Sequence, residues 1–407
     1  MEFHTHRLAN GIKVIHKVVD QEVAHFSWMI SVGSRHEKKH QFGLAHFIEH
    51  GLFKGTKKRN MRPILSRMEN VGGELNAYTT KEETYIYSSF LASDFERAVE
   101  LIADIVKQST FPKKEIEKEK IVILDEINSY KDNPSEQIFD DFEELIFKKS
   151  DLGKNILGDK KSVLSFDQES IFEFIDQNYS PDKMLLSSVG NSTPEEVFEL
   201  ADRYFSDLKT KKTKAYKPKL KAYKPRISSQ SIAQHQSHYL LGCRTFGAKD
   251  ERCSALILLN NILGGPGMNT RLNLNIREKH GLTYSIESNC HFYRDAGVFS
   301  IYFGADKKHS ERIKMLIFKA CRKLMTKTLS EKQLKKAKKQ LLGQFYIAQE
   351  NNCNLMLSMA KSLSVHGKVD TVEDIQQNIE AITAKDIQDL AKIYLDPKQF
   401  STLEYTT

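Results

Sequence analysis

The first half of the chain combines short apolar stretches bounded by turn residues with longer stretches of helical spacing. The short stretches predict a hairpin at LANGIKVI, a strand at AHFSWMISVGS and a second hairpin at ELNAYTTKEETYIYSSF. One helix with a Ser-x-x-Glu capping signal is predicted from Ser93. A longer helix is predicted from Phe111 to the neighbourhood of Asn133 and Pro134.

The second half of the chain shows a similar order of elements. It predicts a strand at SHYLLGCRTFG, a helix at SALILLNNILGG, paired strands at TYSIESNCHFYRDAGVFSIYFGA and helices at SERIKMLIFKACRKLM and after Ser330. Sequence identity between the halves is not evident. Element order alone therefore predicts a duplicated α+β fold.

A lysine- and proline-rich stretch, residues 209–226, separates the two halves. It contains the repeat KAYKP and no acidic residue, so it is predicted to be an extended, solvated linker between domains at 1–208 and 227–407. Much of the formal net charge of +8 lies here. A nucleic-acid-binding patch is the alternative, but no aromatic-rich RNA-binding signature accompanies it, and we expect no nucleic-acid partner.

Composition excludes several other classes of protein. A hydrophobic content of 40% and a charged content of 28% are typical of a globular protein. No apolar run approaches the ~20 residues of a membrane helix, and the amino terminus lacks a signal-peptide pattern, so we expect a cytoplasmic protein without a membrane partner. The five cysteines form no C-x-x-C pair, which argues against a disulfide framework or a thiolate zinc site.

The predicted helix in GLAHFIEHGLFKGT carries the first candidate chemistry. His46 and His50 are four residues apart and lie on one helical face, where they could bind one metal ion together. Glu49 projects beside them as a candidate general base, in an order that inverts H-E-x-x-H to H-x-x-E-H. The alternative is a polar patch, since the chain has 14 histidines. Catalytic zinc usually has three protein ligands, so a third is required.

The helix after Phe111 supplies a candidate third ligand. Glu119 and Glu126 are seven residues apart in EKEKIVILDEI and share a face. The apolar run 121–124 between them is expected to anchor the segment in the core. A carboxylate at the end of such a run is costly unless it is paired or binds a metal. The alternative places Glu126 at the polar edge of the helix.

These motifs together resemble a known family. The H-x-x-E-H segment, GGELNAYTTKEETYIYS, EKEKIVILDEI and LGGPGMNTRLNLNIREKHGLTYS are similar, in that order, to segments of the pitrilysin/insulinase metallopeptidases. These enzymes are inverzincins, and they include mitochondrial processing peptidase, whose subunits are of similar short form. The resemblance implies two related α/β-sandwich domains, each a mostly antiparallel sheet with helices on one face, which form one half-shell of a clamshell.

The resemblance also implies roles for individual residues. His46, His50 and Glu126 would bind one Zn²⁺ per chain, Glu49 would be the general base, and Glu119 would orient a ligating histidine. Asn76 and Ala77 would lie on an edge strand to which a peptide substrate adds. Arg277 and Tyr284 would hold the substrate and stabilise an oxyanion. Without the family, these last four residues would be assigned ordinary structural roles.

The activity implied is that of a zinc endopeptidase that hydrolyses unfolded peptides inside a closed chamber. Single-chain members of the family are about twice as long, so we expect a homodimer, with a heterodimer as the alternative. A second hypothesis is a non-catalytic scaffold or partner subunit that has the family's fold. Such subunits typically lose a ligand or the base, whereas this chain retains all four residues.

Overall fold

The computed structural model describes residues 3–211, 213, 216, 218, 220–233 and 236–407. The predicted linker at 209–226 therefore lies partly outside the described residues, and its described residues belong to no helix or strand. The strands are β1 (His4–Arg7), β2 (Lys13–Val18), β3 (Val23–Ile30), β4 (Glu74–Thr79), β5 (Thr84–Leu91), β6 (Met184–Gly190), β7 (Ile227–Ser231), β8 (Ser237–Thr245), β9 (Ser285–Phe292), β10 (Gly297–Ala305) and β11 (Ser401–Thr406).

The α-helices are interspersed with these strands along the sequence, and a π-helical segment at Asn273–Glu278 precedes β9. The α-helices are α1 (Leu44–Leu52), α2 (Met61–Glu69), α3 (Phe95–Gln108), α4 (Lys113–Lys131), α5 (Pro134–Ile146), α6 (Lys160–Ser165), α7 (Gln168–Asn178), α8 (Pro194–Phe205), α9 (Cys253–Leu263), α10 (Ser310–Thr326), α11 (Glu331–Gln349), α12 (Asn352–His366), α13 (Val372–Ala381) and α14 (Ala384–Tyr394).

The first compact unit is built on a six-stranded sheet with the strand order β1-β2-β6-β3-β5-β4. Only β2 and β6 pair in parallel among its described strands, so the sheet is mostly antiparallel. The predicted Asn-Gly turn joins β1 to β2, and Gly11 has a φ of 98°, which favours glycine. Strand β4 lies at the edge of the sheet, where it pairs with β5.

One face of this sheet packs against α3 through residues spaced as a helical stripe. Phe95, Ala98, Val99 and Ile102 follow the i, i+3, i+4, i+7 pattern and are buried in the same cluster as Phe26. The capping signal predicted at Ser93 does not form, because α3 begins at Phe95 after a short 3₁₀ turn, and its cap residue Asp94 makes no side-chain cap bond.

The second unit is built on a five-stranded sheet with the order β7-β11-β8-β10-β9. Here β7 and β11 pair in parallel, and the other described pairs are antiparallel. Helices α9, α10 and α14 cover one face and bury an apolar core that includes Leu259, Ile317 and Leu390. All residues of β10 are buried, which requires a layer on each face of the sheet.

The second layer of each sheet comes from a distant part of the sequence. The first unit comprises Met1–Ser129, Lys154–Lys217 and Ala348–Thr371, and the second comprises Tyr130–Gly153, Pro218–Ile347 and Val372–Thr407. Helix α12 thus packs on the sheet of the first unit, and α5 packs on that of the second. The continuous boundaries 1–208 and 227–407 predicted from sequence do not include this exchange of segments.

Polar contacts fix both exchanged helices. In the first unit, the buried hydroxyl of Ser187 in β6 donates to the carbonyl of Met356 in α12 at 2.8 Å. In the second, Tyr293 donates to the Glu143 carboxylate of α5 at 2.7–2.8 Å. The predicted α+β class with two mostly antiparallel sheets is confirmed. Helices lie on both faces of each sheet, and not on one face as predicted. The reason is that α12 packs on the first sheet although the segments before and after it belong to the second unit, and α5 packs on the second sheet although the segments before and after it belong to the first.

Candidate metal centre

Helix α1 is held in place at both ends. At its start, the Glu37 carboxylate accepts hydrogen bonds from the backbone N–H groups of Gly43 and Ala45, both at 2.9 Å. Near its end, Gly51 allows close approach to the Phe111 ring, because a Cβ there would lie 2.7 Å from a ring carbon. Phe111 lies two residues before α4, so this contact sets α1 against the start of the second helix of the site.

The three candidate ligands predicted from sequence come together in the first unit. One ligand atom from each of His46, His50 and Glu126 can be chosen so that all three lie within 4.8 Å of one another. Glu126 Oε2 lies 3.8 Å from Nε2 of both histidines. In the described part of the chain this is the one group of three or more such residues that could bind a metal.

The polar atoms of this group fit a metal ion. Oε2 of Glu126 is buried without a hydrogen-bond partner among the described residues, although 42% of the side chain is exposed. The histidine nitrogen atoms facing it offer no compensation unless they are protonated. Two imidazole nitrogens and one carboxylate oxygen are a donor set typical of catalytic zinc, with ligand bonds of about 2.0–2.2 Å. The alternative of a polar helix edge leaves the buried oxygen unexplained.

The predicted anchoring of residues 121–124 is only partly right. Ile123 is buried, but Ile121 is 63% exposed and Val122 is 48% exposed. Four consecutive residues in a helix point in four directions, so they cannot all face the core. The buried face of α4 instead includes Glu119, one turn before Ile123.

Glu119 contacts His50, the kind of contact that the family resemblance implies for a residue that orients a ligating histidine. Its Oε1 lies 2.8 Å from His50 Nδ1, and its Oε2 lies 2.6 Å from the Lys54 ammonium. The side chain of Glu119 is only 5% exposed. A proton on Nδ1 donates to this carboxylate and leaves Nε2 unprotonated on the side of Glu126. The contact thus selects the histidine tautomer that can bind a metal.

The two histidines have different electrostatic surroundings. Burial lowers the pKa of His46 to about 3, with His50 adding to the fall, so His46 is neutral at physiological pH. Burial alone would lower the pKa of His50, but the carboxylates of Glu119, Glu49 and Glu126 together raise it above its ordinary value. A neutral imidazole is needed for metal binding, and His46 meets that condition directly.

Glu49 belongs to α1, and its side chain lies beside Thr79 at the end of the edge strand β4. Burial raises its pKa, and the negative charge of Glu126 adds to the rise, whereas Thr79 and His50 oppose it. A carboxylate with a raised pKa is a better proton acceptor at neutral pH. Thr79 is the last residue of β4, so the candidate base and the sheet edge are neighbours.

Asn76 and Ala77 lie on β4, as predicted. They pair with Tyr87 and Ile86 of β5, and no described strand pairs with the opposite side of β4. Asn76 is exposed and Ala77 is partly buried. The open side of an edge strand presents backbone N–H and C=O groups to which an extended peptide can add.

Arg277 and Tyr284 both lie in the second unit. Arg277 is the next-to-last residue of the π-helical segment. Its guanidinium carbon lies 5.7 Å from the centre of the Tyr284 ring. The Tyr284 side chain is 84% exposed, which is unusual for a large aromatic residue. The structure therefore brings these two predicted residues together, at a surface where a partner molecule can reach them.

Sequence reasoning missed three residues that support the site, namely Glu37, Lys54 and Thr79. Lys54 and Thr79 act only through contacts between elements distant in sequence, which no local pattern shows. Glu37 does have a signal, because an acidic residue shortly before a helix is a candidate cap. The loop between Glu37 and Gly43 hides that signal from the usual spacing.

Replacing Glu37 should destabilise the protein. Glu37→Ala leaves the N–H groups of Gly43 and Ala45 without their buried acceptor, and we expect a loss of about 2–4 kcal/mol. Burial raises the pKa of Glu37 to about 8, against the opposing backbone N–H groups of Ala45 and Gly43. Stability contributed by a group with a raised folded-state pKa declines as pH rises from about 4.5 to about 8. Denaturant unfolding should show a larger loss at pH 6 than at pH 8; an equal loss would contradict this assignment.

Replacing Glu119 should weaken metal binding without removing a ligand. Glu119→Gln removes the carboxylate that accepts the His50 proton, and zinc affinity should fall by about 10–100-fold. Competition with a fluorescent chelator measures the affinity. Glu117→Gln is a matched control on the same helix, since that side chain is 70% exposed. Equal affinities for the two variants would exclude the role of Glu119.

Comparisons with known families match both halves of the chain. Residues 14–160 match the family described as insulinase, peptidase family M16, and residues 165–341 match the domain described as the peptidase M16 inactive domain. A protein of Rickettsia felis named an uncharacterized zinc protease is 33% identical over 389 residues, which cover 95% of this chain and 93% of that protein. A protein of Bacillus subtilis with a similar name is 30% identical over 386 residues, or 94% and 93% of the two chains.

Solved structures match over the whole chain. A protease from Helicobacter pylori superposes with a TM-score of 0.91 at 22% identity, covering 100% of this chain and 99% of that one. A structure from Pseudomonas fluorescens, described as a peptidase M16 inactive domain, gives a TM-score of 0.92 at 20% identity, covering 100% and 98%. At these identities the likeness shows the fold alone.

None of the described helices is long and apolar enough to cross a bilayer.

Proposed function

Because the chain belongs to the insulinase family, peptidase family M16, we propose that it is a zinc-dependent endopeptidase that hydrolyses unfolded peptides. The family is the one that the sequence motifs predict. The observation that carries the proposal is the convergence of His46, His50 and Glu126 within 4.8 Å, with Glu49 beside them. Named relatives support a zinc protease, and the peptide chemistry is our inference from the site.

The residues of α1 and α4 would hold the metal. His46 and His50 would bind Zn²⁺ through Nε2, and Glu126 through the buried Oε2. Zinc, when bound, supplies Lewis acidity that lowers the pKa of water and polarises a carbonyl group. Glu119, itself held by Lys54, fixes the proton of His50 on Nδ1. We expect one ion per chain.

Glu49 would transfer the protons of the reaction. Its carboxylate would take a proton from the attacking water and later pass it to the nitrogen of the leaving amine. The raised pKa suits both steps, because a weaker acid accepts a proton more readily near neutral pH. Hydrolysis by this route needs no covalent intermediate on the protein.

The edge strand β4 would position the peptide. A substrate strand added at the open side of Asn76 and Ala77 would run beside Thr79, the residue next to Glu49. Addition of this kind uses backbone groups of the peptide, so only an extended chain can bind. This supports a preference for unfolded substrates.

Arg277 and Tyr284 would act on the substrate from the second unit. The guanidinium and the exposed phenol hydroxyl are donors suited to a peptide carbonyl or to the oxyanion that forms from it. Support for this role is the family motif REKHGLTY and the proximity of the two side chains.

A homodimer that encloses the substrate in a chamber remains a prediction, as does a cytoplasmic location.

A non-catalytic role is the second candidate. The match of residues 165–341 to a domain described as inactive favours it, and the described residues hold no second metal group in that half. A scaffold or partner subunit would need the fold without the chemistry. The complete set of ligands and base in α1 and α4 favours the enzyme instead.

Cleavage of a mixture of unstructured peptides by the zinc-loaded protein tests the proposal. We expect internal cuts, detected by mass spectrometry, and little cleavage of tightly folded proteins of the same mass. Glu117→Gln should cut like the wild type, since its side chain is exposed on the outer part of α4. A protein that binds one zinc per chain and cuts nothing would overturn the enzyme and favour the scaffold.

A further inference from the structure

An open groove runs along α11 in the second unit, and no step of the proposed reaction uses it. Its volume is about 650 Å³, and nearly all of its lining comes from one face of this helix, beside α13. The lining residues follow helical spacing from Glu331 to Tyr346, so the groove is about 22 Å long. None of the described residues of α11 is buried, so the whole helix lies at the surface of its unit.

The floor of the groove is apolar. Leu334 packs at the margin of the core of the second unit, Leu342 is partly buried, and the Tyr346 side chain is 43% exposed. The hydroxyl of Tyr346 donates to Gln376 Oε1 of α13 at 2.9 Å, which fixes the ring beside the groove. The groove therefore offers an ordered apolar surface to a partner.

The rim of the groove is positively charged. Helix α11 carries five lysines and one glutamate. Lys335 and Lys339 line the groove and are exposed, with no ion pair to a described residue. The lining also contains Glu331 and Glu380, and Lys338 donates to the carbonyl oxygen of Glu380 at 2.6 Å. Two unpaired positive charges beside an apolar floor are complementary to a partner that carries both carboxylates and apolar side chains.

Gly343 is an independent sign of a partner. It lies inside α11, where glycine costs stability relative to alanine, and it lines the groove. A Cβ added to Gly343 would have no heavy atom of the described chain within 4 Å, so packing within that part of the chain does not require glycine. A missing side chain instead allows the backbone of a bound molecule to approach closely.

The shape of the groove identifies the kind of partner. A concave groove does not fit the plane of a bilayer, and an apolar floor does not fit a nucleic-acid backbone. A groove along a helix fits the apolar face of an amphipathic helix.

The groove is also separate from the residues proposed to hold the substrate. The opposite face of α11 contacts the segment that leads to Arg277, because Gln340 exchanges hydrogen bonds with Asn269 at 2.9 and 3.1 Å. The occupant is therefore a partner protein and not the substrate.

We propose that this groove binds an acidic amphipathic helix of a partner protein. The apolar side chains of that helix lie against Leu342 and Tyr346, its backbone crosses α11 at Gly343, and its carboxylates face Lys335 and Lys339. The proposal does not rest on the peptidase function, so it is tested by binding alone.

Fluorescence anisotropy tests the proposal with three labelled peptides. The first contains four copies of Glu-Leu-Leu-Glu, the second replaces each leucine with alanine, and the third replaces each glutamate with lysine. The full-length protein carrying Glu49→Gln is used, and mass spectrometry checks that the peptides stay intact. We expect saturable one-to-one binding of the first peptide and at least about tenfold weaker binding of the other two, because both apolar contact and charge contribute.

Variants locate the binding in the groove. Gly343→Leu should weaken it at least about tenfold, because the new side chain blocks the partner. The same variant should not lower the unfolding temperature, since leucine favours a helix and enters open space. Lys335→Gln with Lys339→Gln should weaken binding about threefold or more. Lys319→Gln with Lys323→Gln, at exposed positions of α10, removes the same charge and should change nothing.

Several results would overturn the proposal. These are no saturable binding of the first peptide, equal binding of either control peptide, an unchanged affinity in Gly343→Leu, and equal effects of the two lysine pairs. Duplex DNA that binds as tightly as the first peptide, with the same sensitivity to Gly343→Leu, would assign the groove to nucleic acid instead. Dissociation of a dimer by Gly343→Leu, seen by sedimentation, would assign it to a second copy of the chain.

Discussion

Glu49→Gln should reduce peptide hydrolysis by about 10²–10⁴-fold, the range typical of a general acid–base residue, while zinc stays bound. The substitution keeps the size of the side chain but removes its ability to accept a proton. Glu49 is not among the three residues whose ligand atoms converge, so the metal content should stay at one ion per chain. Steady-state hydrolysis of a fluorogenic peptide, with metal analysis of the same sample, makes this measurement.

The zinc content makes the result for Glu49 interpretable. Loss of both zinc and activity would mean that Glu49 supports the metal site, and retention of activity would exclude it as the base. Glu117→Gln gives the matched control, because it makes the same chemical change on an exposed side chain. Only loss of activity with zinc retained agrees with the proposed role.

Glu126→Gln should abolish stoichiometric zinc binding and, with it, hydrolysis. Loss of a supporting residue such as Glu119 costs about 10–100-fold in affinity, and loss of a ligand should cost more. The buried Oε2 of Glu126 also lies 3.8 Å from Nε2 of both histidines. An amide oxygen there carries no negative charge to balance the ion.

The affinities of the Glu126, Glu119 and Glu117 variants should fall in a fixed order. Zinc should bind most weakly to Glu126→Gln, less weakly to Glu119→Gln and normally to Glu117→Gln. All three changes are on α4, so general effects on that helix are shared. If Glu126→Gln bound zinc as well as Glu117→Gln does, the third ligand would have to be another residue.

Much of the candidate site could be predicted from sequence because its parts are local. The pair His46 and His50 depends only on helical spacing, and α1 does form over Leu44–Leu52. Glu119 and Glu126 share a face of α4 for the same reason, and both reach the histidines. The family motifs then joined two helices that no local pattern connects.

The rest could not be predicted because it depends on contacts between distant segments. Helix α5 has an ordinary amphipathic sequence and α12 only a weakly amphipathic one, and nothing local indicates which sheet each one covers. The run 121–124 shows the limit of apolar content as a guide, since two of its residues are exposed. Lys54 supports Glu119 only because α1 and α4 are neighbours in the folded chain.

Zinc titration of the metal-free protein tests the central claim most directly. Hydrolysis of an unstructured peptide and bound zinc are measured on the same samples as the metal is added. The account predicts that activity rises in proportion to zinc and stops rising at one ion per chain, and that Glu49→Gln binds the same ion without activity. Hydrolysis that is independent of zinc, or zinc bound at one per chain with no hydrolysis, would contradict it.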